Sequence, residues 1–77
     1  MKVTVYSTQT CPYCHQLKHF LDDNKIKYED IDVSENQEKA QEMIKKSGQM
    51  GVPVTDIDGD IVLGFDVETL KQKLNIK

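Results

Sequence analysis

The sequence predicts an α/β fold: a four-stranded mixed sheet with three helices on its faces, in the order βαβ-α-ββ-α. Three observations carry this expectation. Alternating Lys2-Val3-Thr4-Val5-Tyr6 is followed by an apolar run at helical spacing (Leu17, Phe20, Leu21), then by a second loosely alternating run. That is the pattern of two parallel strands joined by a right-handed helical crossover. Asp58-Gly59 separates two apolar runs, the strongest short-range signal of a β-hairpin. Two further amphipathic stretches, before and after that hairpin, supply the remaining helices. A parallel pair combined with an antiparallel hairpin gives a mixed sheet.

Taken in order, the first strand covers residues 2 to 6, with Val3 and Val5 sharing a face. Ser7 to Thr10 form a polar loop. The first helix runs from Pro12 to about Asn24; Pro12 suits its first position, where the missing N–H would be unpaired anyway. Cys14, Leu17 and Leu21, with Phe20 beside them, form its inward stripe, while His15, Lys18, His19 and Asp22 face water. Asn24 and Lys25 close it. The run Ile26 to Val33, alternating around Tyr28, Ile31 and Val33, is the second strand.

Ser34-Glu35-Asn36-Gln37 has the form of a capping box, Ser34 accepting from the Gln37 N–H and the Gln37 side chain reaching back. The helix that follows points Ala40, Met43, Ile44 and Ser47 inward and stops at Gly48. A linker, Gln49-Met50-Gly51-Val52-Pro53, leads to strand Val54 to Ile57, the Asp58-Gly59 turn, and strand Asp60 to Leu63. Gly64-Phe65-Asp66 then opens the last helix, with Asp66 as N-cap and Val67, Leu70 and Leu74 facing the core.

At 77 residues the expectation is one domain over 1–77 with a small core. Net charge is −3 with both signs interspersed, and no basic block points to nucleic acid or an anionic membrane. Met1-Lys2-Val3 leads directly into a strand, and no apolar run is long enough for a bilayer. A soluble protein in the reducing cytoplasm is the expected setting. There, a surface dithiol is usually catalytic or metal-binding.

The only two cysteines are Cys11 and Cys14, and they close too small a loop to brace a fold. Their surroundings suggest chemistry instead. With Pro12 opening the helix, Cys11 becomes its N-cap and Cys14 lies on the first turn, close to the separation a disulfide needs. Unpaired N–H groups and the positive end of the helix dipole favour a thiolate at Cys11. A Cys-x-x-Cys between a strand and a helix is the arrangement of a redox dithiol. Metal readings compete: Cys11-Pro12-Tyr13-Cys14-His15 matches the c-type haem attachment pattern, and His15 and His19 could complete a zinc set. Against haem stands the βαβ context. Against zinc stands geometry, since Cys14 and His15 are adjacent on a helix and diverge by about 100°, as its 3.6-residue turn requires.

Cys11-Pro12-Tyr13-Cys14, Val52-Pro53 and Gly64-Phe65-Asp66 together make the chain resemble a glutaredoxin, within the thioredoxin-fold superfamily. The resemblance spans essentially the whole chain and implies a thioredoxin-like fold and a thiol–disulfide oxidoreductase. It implies Cys11 as nucleophile and Cys14 as resolving thiol. It also implies a cis peptide before Pro53, and a Val52 backbone that pairs with a substrate peptide as an added strand. Pro12, Tyr13, Gly64 and Phe65 border the implied site, with Phe65 open to a packing or a rim role. Asp66 would meet the γ-glutamyl ammonium of glutathione.

The family commonly places cations where this chain has Thr8 and Gln49, which become glutathione contacts by position only. The usual Thr-Val-Pro is here Gly51-Val52-Pro53, and a double glycine is here Leu63-Gly64. Glutathione carries two carboxylates that cationic side chains normally hold. The expected partners are therefore glutathione as co-substrate, disulfide-bearing proteins, or a flavoprotein reductase such as thioredoxin reductase. A monomer with no tightly bound cofactor is expected. An iron–sulfur cluster shared between monomers occurs in some relatives, mostly those without proline after the first cysteine.

Overall fold

Side-chain and backbone chemistry sets where each element begins and ends. The computed structural model describes residues 2–76; Met1, where the run into the first strand was expected to start, lies outside the described residues. These form β1 (Val3–Ser7), α1 (Pro12–Asp23), β2 (Glu29–Asp32), α2 (Gln37–Ser47), β3 (Val54–Ile57), β4 (Asp60–Leu63) and α3 (Val67–Leu74). The strands lie in the order β2-β1-β3-β4. β1 and β2 are parallel, whereas β1–β3 and β3–β4 are antiparallel. The predicted mixed sheet and element order are both present.

Period-2 alternation divides the sheet into two different faces. Val3, Val5, Ile57 and Val62 meet Leu17 and Leu21 of α1 and Leu70 and Leu74 of α3. Tyr6 and Val54, on the opposite face, meet Met43 of α2, with Ile31, Val33, Ile44, Val52 and Ile61 around them. Fully burying one such Leu or Met side chain is worth about 1.5–3 kcal/mol. A polar clamp adds to α2's hold. Lys46 Nζ donates to Asp56 Oδ2 at 2.8 Å and to the Tyr6 hydroxyl at 3.2 Å. Those two bonds hold the Lys46 ammonium well above the ordinary lysine range, and Lys46 in turn holds the Asp56 carboxyl below its ordinary value.

Three boundaries differ from the sequence reading. The capping box at Ser34 does not form. The Ser34 N–H and hydroxyl both donate to Asp32 Oδ1, and Asn36 caps α2 instead, accepting from the Lys39 N–H at 3.2 Å. Ser34 is spent on the strand end before it, so the helix starts two residues later. Second, β2 is shorter than the alternation from Ile26 to Val33. The first helix ends in a Schellman motif: Lys25 sits at φ 57°, its N–H bonds Asp22 O at 3.0 Å, and the Ile26 N–H bonds Leu21 O at 2.9 Å. That motif consumes Ile26 before pairing can begin. Third, β1 extends to Ser7, which sits buried opposite Asp32 in the ladder rather than in the loop.

Candidate functional site

The site is built at the C-terminal end of β1, where the chain turns into α1. Cys11 is the N-cap, in extended conformation, with Pro12 next. Its sulfur replaces the usual N-cap oxygen: Cys11 Sγ accepts the Cys14 N–H at 3.2 Å. The same sulfur lies 3.9 Å from the Val52 carbonyl oxygen. Cys11 is partly exposed and Cys14 is buried, and both are free thiols. Burial pushes the Cys14 thiol up to about 12, helped by its hydrogen bond to Cys11, while the Thr8 backbone and the Lys18 charge pull it down. One sulfur therefore faces solvent and helix N–H groups, and the other is kept protonated beneath it.

Val52-Pro53 is joined by a cis peptide bond, as the resemblance implied. Pro53 O accepts the Gly64 N–H at 2.9 Å, which ties the linker after α2 to the turn before α3. Gly64 has φ 69°, a backbone conformation that favours glycine. Between these segments opens a groove of about 350 Å³ lined by Tyr13, Val52, Pro53, Gly64 and Phe65. Phe65 takes both of the roles open to it. Its ring packs edge-on against Phe20 with centroids 6.2 Å apart, and the residue also lines the groove. Tyr13 is an exposed ring at the groove's mouth.

The other sequence-derived candidates do not line this groove. Thr8 is half-buried in the loop before Cys11, its carbonyl accepting the Cys11 N–H at 3.5 Å. Gln49 follows α2, with its N–H donated to Ser47 Oγ at 3.2 Å. Asp66 caps α3, Oδ1 accepting the Thr69 N–H at 3.2 Å and Oδ2 the Thr69 hydroxyl at 2.8 Å. Those bonds, the hydroxyl's first, hold its carboxyl below the ordinary range. His15 Nε2 is 2.8 Å from the Gln9 carbonyl, and both histidines are exposed. Among the described residues no three His, Cys, Asp or Glu side chains converge to hold a metal. A larger hollow of about 550 Å³ runs along α2, lined by Glu38, Lys39, Gln41, Glu42, Lys45 and Lys46. It lies on the sheet face opposite α1.

Sequence reasoning missed two features. Met50, which the sequence placed in the linker and gave no role, is 80% exposed there. Lys18, read as a wet surface residue, lies along the sheet with Nζ 2.9 Å from Asp30 Oδ2. Ser7 Oγ donates to the other oxygen of that carboxylate at 2.7 Å. The signal available was spacing, for Lys18 follows Cys14 by four positions on one helix.

Among the described residues, no helix is long and apolar enough to cross a membrane. The glutaredoxin family model matches residues 3–62. The chain is 41% identical, over 83% of its length and 85% of the relative's, to an uncharacterized glutaredoxin-like 8.6 kDa protein in the rubredoxin operon of Clostridium pasteurianum. It is 38% identical to glutaredoxin 3 of Escherichia coli K12, over 83% of this chain and 77% of that protein. A crystal structure of a mutant of the thioredoxin-like protein BC3987 superimposes with a TM-score of 0.93 at 36% identity, covering 99% of this chain and 97% of that one. Family match, relatives and architecture agree: the chain belongs to the glutaredoxin family of thiol–disulfide oxidoreductases and has a thioredoxin-like fold.

Proposed function

We propose that this protein reduces protein disulfides and glutathione mixed disulfides through a Cys11/Cys14 dithiol, acting as a single cytoplasmic domain and a monomer. The observation that carries the proposal is the asymmetry of the two sulfurs. Cys11 Sγ is partly exposed and accepts the Cys14 N–H at 3.2 Å, while the Cys14 thiol is buried and protonated. Cys11 attacks the substrate disulfide as a thiolate. The substrate S–S bond breaks, one sulfur leaves as a thiolate, and a mixed disulfide forms at Cys11. Cys14 then loses its proton and attacks Cys11 Sγ. A Cys11–Cys14 disulfide forms, the second substrate sulfur leaves and takes up a proton, and two electrons have passed to the substrate.

The order of these steps follows from what sets the Cys14 thiol. Two of its upward influences, the hydrogen bond and the charge, come from Cys11 itself. Once Cys11 is held in a mixed disulfide, both are removed and the Cys14 thiol ionises more readily, while burial, its largest upward influence, remains. Substrate backbone would align along Val52, with apolar side chains against Tyr13, Pro53 and Phe65 in the groove. A glutathionylated substrate needs Cys11 alone, with a second glutathione resolving it.

Glutathione is the proposed co-substrate, with Asp66 meeting its ammonium and Thr8 and Gln49 lying nearest its other polar groups. A second reading rests on those same residues. Neither Thr8 nor Gln49 is a cation, and no cation lines the groove among the described residues. A flavoprotein reductase working on the oxidised dithiol would need no carboxylate anchors. The test is a coupled assay of the oxidised protein with NADPH. One arm contains glutathione and glutathione reductase, the other thioredoxin reductase. Turnover with glutathione supports the first reading, and turnover only with thioredoxin reductase the second. Failure of both, with the dithiol intact, would overturn the proposal.

A further inference from the structure

Cys14 presents a problem that the exchange mechanism must solve. It is buried, yet the second step needs it as a thiolate, and burial disfavours charge. Lys18 stands four residues on, one turn along the same side of α1, where i and i+4 side chains are neighbours. Its side chain is only 19% exposed, uncommon for a lysine. Asp30 fixes it there. Val5 pairs with Asp30 in the ladder, so the carboxylate lies on the α1 side of the sheet. Buried Ser7 donates to one carboxylate oxygen and Lys18 to the other, at 2.7 and 2.9 Å. Burial works against the Lys18 ammonium, but the Asp30 hydrogen bond together with the charges of Asp30, Tyr28 and Cys14 outweighs it, so the lysine is held above its ordinary range.

We propose that Lys18, held by Asp30 and Ser7, is a positioning residue for the second half of exchange, its ammonium supplying the positive charge beside which buried Cys14 ionises. The inference rests on the dithiol reading above. The groups that face Cys14 and Lys18 are few: Cys11 at the helix N-cap, Asp30 and Asp32 on β2, and Tyr28 just before it. Ser7 and Thr8 present a hydroxyl and a backbone N–H rather than charge. When Cys11 enters a mixed disulfide, its influence on Cys14 ends and that of Lys18 persists. Lysine is therefore the charge that acts at the moment of attack. The Cys14 proton passes to solvent or to the departing thiolate, and Lys18 neither gains nor loses one.

The test uses the full-length reduced protein and the aromatic disulfide dithionitrobenzoate. Its coloured thiolate is released once when Cys11 attacks and again when Cys14 resolves the mixed disulfide. The readout is the second phase relative to the first, across pH. Lys18→Met should slow the second phase roughly threefold for each unit by which Cys14 rises, because lost thiolate is partly offset by its greater nucleophilicity. The pH midpoint of that phase should move upward, and Lys18→Arg should restore both. Should Lys18→Met fold poorly, Lys18→Gln serves as the second variant. An unchanged second phase, or slowing with no upward move of its pH midpoint, overturns the assignment. Absence of any second phase in the unmodified protein would instead overturn the dithiol reading.

Discussion

Thr55 offers the sharpest test of how this core is put together. It is 0% exposed on β3, paired with Val5 on one side and Val62 on the other. Its Oγ1 is buried without a hydrogen-bond partner among the described residues. Burying a hydroxyl without a partner costs about 1–3 kcal/mol by mutational measures. Thr55→Val replaces it with a methyl group of nearly the same shape, so the strand and its β-branched packing are retained. The expected gain is about 1–2 kcal/mol, since shape is kept and the unmet polar group is removed. In a domain of this size each kcal/mol moves Tm by about 4–8 °C. Thermal melting of the reduced protein by circular dichroism should show a rise of at least about 4 °C, the low end of that conversion. Urea titration should show a higher midpoint at constant slope. A fall in Tm, or none, would refute the reasoning by showing that the hydroxyl is hydrogen-bonded in the folded protein.

Other expectations follow from the same geometry. Cys14→Ser should keep turnover of glutathionylated substrates and lose dithiol reduction of protein disulfides; retention of both in a steady-state assay would remove Cys14 from its resolving role. Lys46→Met should lower stability by about 1 kcal/mol in urea titration, a modest figure because the lysine side chain is 37% exposed and its pairing is screened. The Asp56 carboxyl lies below its ordinary 3.8 chiefly because Lys46 donates to it. A depressed folded value means that its contribution is complete above 3.8 and lost as pH falls through the lower value. Acid titration monitored by circular dichroism should therefore show a shallower loss of stability in Lys46→Met than in the unmodified protein. Equal slopes would mean that the pair does not couple to folding.

Much of this architecture was legible in local signals. Asp58-Gly59 marked the hairpin because few other pairs fit that turn, and Gly48 and Asp66 marked helix ends because their chemistry satisfies orphan backbone groups. Cys11-Pro12-Tyr13-Cys14 placed the dithiol on the first turn for the same reason. What failed depended on competition between neighbours. The Ser34 N–H and hydroxyl both went to Asp32 Oδ1, two residues upstream and outside the four-residue capping pattern. Lys25 adopted the left-handed conformation without being glycine, and so Ile26 could not join β2. The Lys18–Asp30–Ser7 arrangement needed tertiary placement, because helix periodicity alone put Lys18 toward water while the neighbouring strands supplied a carboxylate for it.

The unequal faces of the sheet have a dynamic consequence. On one side α1 and α3 interlock through Leu17, Leu21, Leu70 and Leu74, whereas on the other α2 rests on Met43 among residues that are mostly half-buried. Local opening follows the weaker layer. Amide hydrogens of α2 should exchange with solvent through a partial opening that leaves α1 in place. The two cysteines therefore ride on the firmer layer, whereas Val52, whose carbonyl lies 3.9 Å from Cys11 Sγ, belongs to the layer that opens, so an α2 opening reaches the site through that linker alone.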